Sequence, residues 1–313
     1  ALPMNTPPLC VPQPTRIAGG ADREVPPSRP HAGRTVPRLT AAVAIVLVLV
    51  TFVTSRSAAA EEPGDALPLT GDAAENFLAT AKVMELKSFK TKGVTMPRKA
   101  TLSDGERTLD ALFKDIDTYS PKETLAGGEL VLRFRDSYRH EIAAYELDKL
   151  LGLEIVPPCV KRRMGGDAGA LCLWVEGTMT EWERLARPDI TPPDTEDWNR
   201  QMMTIRLFLQ LIYDIDYKNA SNLLIDERFK IYKIDSSRAF RTDRELRDPA
   251  ELTRFSRAVL DALGSLRLED AQTSLKPWLT KEQIKGLLAR RDLILELAEA
   301  RIAALGEDEV LYP

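Results

Sequence analysis

Three oxygen-bearing side chains, Asp216, Asn222 and Asp235, stand at the edges of two short apolar runs within Leu211–Phe240 (LIYDIDYKNASNLLIDERFKIYKIDSSRAF). The runs are Asn222–Ile225 and Lys230–Ile234, with Asp226–Phe229 between them. Such a pair reads as an antiparallel hairpin closed by a four-residue loop. In a hairpin the start of one strand lies beside the end of the other. Asn222 and Asp235 therefore share one end of the ribbon, with Asp216 on the loop that leads into it. Oxygens gathered in this way suit a hard divalent cation, and a carboxylate beside them suits proton abstraction. The same spacing also describes a plain polar turn around a hairpin, so the chemistry depends on what the rest of the chain delivers.

The whole chain narrows the chemistry. Its 313 residues allow one large domain or two lobes, and its net charge of −4 is spread along the chain rather than blocked. A nucleic-acid partner is not expected, because its usual footprint is a basic patch. Only two histidines occur, His31 and His140. A Ser-His-Asp triad or a His-rich zinc site would rest on His140 alone, and His140 reads as an exposed residue in the first turn of a helix.

Residues 1–60 form a leader. Positions 1–40 are rich in Pro, Gly and Arg and are expected to be disordered. Ala41–Val53 is an apolar core preceded by Arg34 and Arg38 and followed by Ser57-Ala58-Ala59-Ala60-Glu61, the pattern of an export signal with a small-residue cleavage site. Cleavage after Ala60 is the first choice. The alternative is an uncleaved membrane anchor, since the uncharged stretch Leu39–Ser55 is 17 residues long, at the lower limit of a bilayer span. Either way the remainder is expected outside the cytoplasm. Beyond the leader stand Cys159 and Cys172. If Gly165-Gly166 make a two-residue turn, the two cysteines face each other; if the loop is Gly165–Gly169, they miss. A disulfide and two buried thiols are both open.

A linker is expected over 61–78, with a short helix at Ala73–Thr80 running into the next segment. Strand-like runs follow at Lys82–Phe89, Lys99–Leu102 and Arg107–Lys114, the last ending with Lys114 at the mouth of its sheet. Asp136 or Ser137 can cap a helix over Tyr138–Leu151 that carries Glu141 in its first turn and stops at Gly152. A Cys159–Gly177 hairpin has an apolar second strand, Ala170–Val175, and ends in the connector Glu176-Gly177. Asp194 caps a helix of about twenty residues that delivers the chain to Asp216. Further helices are expected over Ala250–Leu268, Thr280–Arg291 and Asp292–Leu305. The fold class is α+β, a β-rich first lobe over 79–177 and a mostly helical second lobe over 178–313.

That order resembles the protein-kinase-like fold. The resemblance is to its atypical branches: phosphatidylinositol 3- and 4-kinases, HipA-type kinases and secretory-pathway kinases of the Golgi casein kinase type. HEIAAYELDKLLGLEIVPP (His140–Pro158), LFLQLIYDIDYKNASNLLI (Leu207–Ile225) and IYKIDSSRAF (Ile231–Phe240) carry it. The resemblance implies that Lys114 holds the α- and β-phosphates of ATP and that Glu141 pairs with it. It implies that Asp216 orients the acceptor hydroxyl and takes its proton, and that Asn222 and Asp235 hold Mg²⁺ or Mn²⁺. Gly93 and Thr95 would lie over the phosphates, and Val175, Glu176 and Gly177 would form the hinge against the adenine. Phosphoryl transfer is mostly positioning and charge neutralisation, so it needs no histidine.

The sequence departs from the family pattern at several points. Lys92-Gly93-Val94-Thr95 has one glycine where typical protein kinases carry a glycine-rich loop. Tyr217 follows Asp216 where Arg is usual, and Asp235 is followed by Ser236-Ser237 rather than Phe-Gly. Asp216 and Asn222 are six positions apart, one more than usual, which makes Asn219 a rival to Asn222; strand register favours Asn222. The expected function is an exported phosphotransferase that uses ATP and a divalent ion on a protein or glycan hydroxyl. The alternatives are a catalytically inactive kinase-like binding module and a nucleotidyl transferase on the same fold.

Overall fold

The computed structural model describes residues 66–88, 96–125 and 128–313. The export signal, its cleavage site, Gly93 and Thr95 lie outside the described residues. Among the described residues no helix is long and apolar enough to cross a membrane.

Helix α1 (Gly71–Thr80) and strands β1 (Lys82–Ser88), β2 (Arg98–Ser103) and β3 (Thr108–Lys114) open the fold. Strict alternation makes β2 and β3 strands. Ala100 pairs with Ala111 and Leu102 with Leu109, and with Phe113 they present one apolar face to Phe77 and Leu78 of α1. The other face is polar: Lys99 pairs with Asp110 at 2.8 Å, and Thr101 donates to Asp110 at 2.7 Å. The turn between β2 and β3 closes on Asp104, whose carboxylate accepts the N–H groups of Glu106 and Arg107.

A ribbon absent from the sequence reading comes next, β4 (Asp117–Thr124) paired with β5 (Leu130–Ser137). β5 buries Val131 and Phe134 against Ile215, whereas most of β4 is exposed and its run DTYSPKET shows no apolar alternation. Pro121 is tolerated because β4 has a free edge. β5 runs straight into α2 (Tyr138–Leu151), where Ser137 accepts the N–H of Arg139 and Gly152 closes the helix at φ +62°.

β6 (Cys159–Met164) and β7 (Asp167–Leu173) complete a five-stranded antiparallel sheet in the order β1-β2-β3-β7-β6. Gly165 and Gly166 form the two-residue turn, at φ +61° and +95°, which sets Cys159 opposite Cys172. The two are joined in a disulfide. A bridge 13 residues apart in sequence stabilises mainly by limiting the unfolded chain, typically by about 2–4 kcal/mol. Reduction is therefore expected to lower the melting temperature of the wild type and leave Cys159→Ser/Cys172→Ser unmoved, as differential scanning calorimetry with and without reductant would show. Gly169 on β7 has a separate role. A Cβ there would collide with the Lys114 carbonyl and the Phe113 ring, so glycine lets β7 pass close to the end of β3.

After the connector 174–178 come β8 (Met179–Thr180), α3 (Glu181–Leu185) and α4 (Thr195–Ile212), with Asp194 capping α4 through the N–H groups of Glu196 and Asp197. The expected hairpin is β9 (Leu223–Ile225) with β10 (Ile231–Lys233), but its register, Ile225–Ile231 and Leu223–Lys233, leaves residues 226–230 between the strands, one residue more than the expected four-residue loop. β8 adds a third strand on β9 that two residues could not announce in the sequence.

The remaining elements are β11 (Phe255–Ser256), α5 (Arg257–Ser265), α6 (Leu268–Leu275), α7 (Lys281–Leu305), α8 (Glu307–Val310) and β12 (Leu311–Tyr312), the last parallel to β11. Two expectations are corrected here. The helix expected from Ala250 starts at Arg257, because Ser256 caps it through Val259 N–H. The helices expected over Thr280–Arg291 and Asp292–Leu305 are one, α7. Its Thr280–Gln283 capping box sets the start, and Asp292, exposed and paired with Arg291 at 2.6 Å, does not interrupt it. The largest apolar core joins α2, α4, β9, β10, α5, α6 and α7.

Candidate active site

Lys114, Glu141 and Asp235 meet although they come from the end of β3, the first turn of α2 and the residues after β10. Lys114 Nζ donates to Glu141 Oε1 at 2.7 Å and to Asp235 Oδ1 at 2.9 Å. Glu141 Oε2 accepts the N–H of Ser236 at 3.0 Å, so one carboxylate orients the lysine and the segment after Asp235 together. Asp235 adopts φ +58°, a conformation that Asp visits more readily than most residues and that redirects the chain as it leaves β10. Burial alone would lower the Lys114 ammonium, but the carboxylates of Asp235 and Glu141 outweigh it and hold its pKa above the usual lysine range. Lys114 in turn depresses the Asp235 carboxyl well below the usual range.

Asp216 lies on the loop that leaves α4. Tyr213 ends that helix at φ +50°, and Asp214 then accepts the N–H of Asp216 at 2.9 Å. Asp214 is buried and paired at 3.0 Å with Lys233 of β10, both side chains being about 1% exposed. Lys233 Nζ also donates to the carbonyls of Ile234 and Asp235, at 2.5 and 3.0 Å. One lysine thus ties the Asp216 loop to the backbone of Asp235. Burial raises the Asp216 carboxyl, and the nearby Asp214 charge adds to the rise. Arg238 reaches both Asp136, at 2.8 Å, and Asp216, at 3.6 Å.

Asn222 closes a 3₁₀ turn, Ala220–Asn222, and its carbonyl accepts the N–H of Ile234 at 2.9 Å, which puts it beside Asp235 as the register reading expects. The six-residue interval from Asp216 is taken up by two successive turns, Asn219 N–H to Asp216 O at 2.8 Å and Asn222 N–H to Asn219 O at 2.9 Å. Asn219 is exposed, accepting from Ser221 N–H and donating to Asn222 Oδ1 at 3.2 Å, whereas Asn222 is buried. The connector residues sit apart from this cluster in sequence. Val175 is buried against Tyr232 and Ala66, Glu176 N–H donates to Ala66 O at 3.0 Å, and Gly177 turns at φ +61°.

His140 corrects the sequence reading. It is buried, not exposed. Nδ1 donates to Ser237 O at 2.8 Å, so Nε2 accepts from Gln283 Nε2 at 3.0 Å, and Gln283 also donates to Phe240 O. Burial pushes its pKa down to about 4. The folded state holds the imidazole neutral, so its contribution is present above an unfolded pKa near 6.5 and is lost as pH falls towards 4. The effect amounts to about 3 kcal/mol at 1.36 kcal/mol per pH unit. Denaturant unfolding between about pH 7 and pH 4 should show a smaller loss for His140→Gln than for the wild type; equal losses would remove His140 from the account.

No protein-family model matches the chain, and no curated protein sequence matches it either. Solved structures do. A hydra Fam20 structure, determined with sugar, is 17% identical and superposes over 78% of this chain and 93% of its own, with a TM-score of 0.55. A Golgi casein kinase structure is 13% identical over 76% of this chain and 77% of its own, with a TM-score of 0.50. The fold is kinase-like. In this kinase-like fold, five residues that the sequence analysis singles out (Lys114, Glu141, Asp216, Asn222 and Asp235) line β3, α2 and the loops around β9 and β10. Sequence reasoning missed Asp214, Lys233 and Arg238, and read Asp136 only as a candidate helix cap. The one signal for them was Lys233, a charge inside the apolar run Ile231–Ile234.

Proposed function

We propose that this chain is a phosphotransferase that uses ATP and a divalent metal ion, acts outside the cytoplasm, and phosphorylates a protein or glycan hydroxyl. The observation that carries the proposal is the ammonium of Lys114 held between Glu141 and Asp235 at 2.7 and 2.9 Å in a kinase-like fold. Lys114 would contact the α- and β-phosphates, with Glu141 keeping it extended. Asp216 would orient the acceptor hydroxyl and accept its proton as the acceptor oxygen bonds to the γ-phosphorus and the bond to the departing ADP oxygen breaks. Burial makes Asp216 more basic, which serves that role.

Asn222 and Asp235 fit a hard cation. Asp235 is about half exposed, with only one carboxylate oxygen engaged by Lys114, and Asn222, whose backbone carbonyl accepts the N–H of Ile234, would turn its amide oxygen from Asn219 to the ion. The ion would neutralise charge on the phosphates.

The leader and the Cys159–Cys172 disulfide support a site outside the cytoplasm, since disulfides persist in oxidising compartments. The acceptor class follows the similar structures: one is a Golgi casein kinase, and the other was determined with sugar. One observation favours an inactive module instead. Ala66 O already occupies the N–H of Glu176, which leaves an adenine only the other backbone groups of the connector. The test is the melting temperature with ATP and Mg²⁺, together with ADP release and phosphate incorporation into protein and glycan acceptors. Lys114→Met and Asp235→Ala should abolish transfer. Nucleotide binding without transfer by the wild type would support the inactive module, and neither binding nor transfer would sink both readings.

A further inference from the structure

A cavity that none of Lys114, Glu141 and Asp235 lines lies between the start of α2 and the start of α7. It measures about 110 Å³. That is room for several waters or for a small oxyanion. Arg135, Arg139 and Lys276 line it, over a floor of Ser137, His140 and Gln283, and no acidic side chain lines it. In a protein of net charge −4 this is a local excess of positive charge. Two carboxylates nearby offset it in part: Asp117, shared between Arg139 at 3.3 Å and Arg135 at 3.9 Å, and Asp136, which is paired with Arg238 at 2.8 Å. Lys276 is exposed and forms no ion pair among the described residues.

We propose that this cavity is an oxyanion-binding site that takes a phosphoryl group, either free phosphate or a phosphorylated peptide side chain. The guanidiniums of Arg135 and Arg139 supply planar paired donors that match phosphate oxygens, and Lys276 adds a mobile charge at the rim. His140 and Gln283 spend their polar atoms on Ser237 O, Phe240 O and Thr280 and do not compete for the anion. The floor has a second consequence. His140 precedes Glu141 in α2, and Ser237 O is held by both His140 Nδ1 and Ser137 N–H at 2.8 and 2.9 Å. An anion bound above that floor bears on the two segments that carry Glu141 and Asp235, which makes the site regulatory in position.

The test is thermal melting and isothermal titration of the chain with inorganic phosphate, against chloride at matched ionic strength. A saturable phosphate-specific rise in melting temperature is expected for the wild type. Arg139 and Lys276 are solvent-exposed, so Arg139→Gln/Lys276→Gln should fold normally and bind phosphate about tenfold more weakly or worse, the scale of one lost charge-assisted hydrogen bond. Lys114→Met, which disables the proposed nucleotide site, should keep the response. Absence of any phosphate-specific shift, a shift that the double variant retains, or one that Lys114→Met loses would overturn the proposal. A serine phosphopeptide compared with its unphosphorylated form assigns the source: tighter binding than phosphate means a peptide-borne group, and no gain over phosphate means the free ion.

Discussion

Under the proposed phosphotransferase activity, replacing Asp216 with Asn is expected to lower turnover by about 10²–10⁴-fold, the usual worth of a positioned general base, and to leave nucleotide affinity within about twofold of the wild type. The split follows from position. Asp216 sits on the loop after α4, anchored by its own N–H to Asp214, and it is Lys114 that lies among the groups suited to phosphate. Asn keeps the shape and cannot take a proton. The loop should therefore stay folded, and the melting temperature should move little. Steady-state ADP release with a hydroxyl acceptor, beside a nucleotide titration, measures both quantities. Undiminished transfer by Asp216→Asn would remove the residue from the chemistry while leaving the Lys114–Glu141–Asp235 cluster standing.

Lys233→Met destabilises the protein by about 3–5 kcal/mol, the typical result of stranding one member of a buried ion pair. Asp214 and Lys233 are each about 1% exposed in their side chains, so loss of the ammonium leaves the Asp214 carboxylate buried without its cation. At about 2–4 °C per kcal/mol the melting temperature should fall by roughly 10 °C. Asp214→Asn/Lys233→Met should recover much of the loss, because the remaining amide can still accept the Asp216 N–H and no isolated charge is left. Chemical denaturation of the single and double variants forms the cycle. A single-variant cost below about 1 kcal/mol would mean that water reaches the pair and that Lys233 is not the tie between the two loops.

The elements that place the site were legible where local chemistry decides them. Ser137 and Gly152 bound α2, Asp194 caps α4, and the apolar alternation of β2 and β3 survives any choice of partner. The Gly165-Gly166 turn was legible as one of two registers, and a register in strands fixes which side chains face each other. The β4–β5 ribbon was not legible, because β4 is mostly exposed and β5 buries, of its apolar residues, only Val131 and Phe134, spaced three apart, against Ile215, which leaves no period of two in its sequence. β8 was too short to announce itself, and α7 continued through Asp292 because an exposed Asp costs a long, well-capped helix little.

For the site, the sequence by itself determined which residues are chemically able: Lys114 at a strand end, Glu141 in a first helical turn, and Asp216, Asn222 and Asp235 around one hairpin. Their places on those elements follow from residue type, period and caps, which act over a few positions; their roles are what the resemblance to the kinase-like fold implies. Only the tertiary structure decided that Lys114 meets both Glu141 and Asp235, across 27 and 121 positions of chain. It alone decided that Lys233 and Arg238 brace Asp216 and Asp235, and that His140 is a buried neutral link rather than a surface residue. Burial and long-range charge set those outcomes, and both depend on which distant segment packs alongside, a property that no local window of sequence contains.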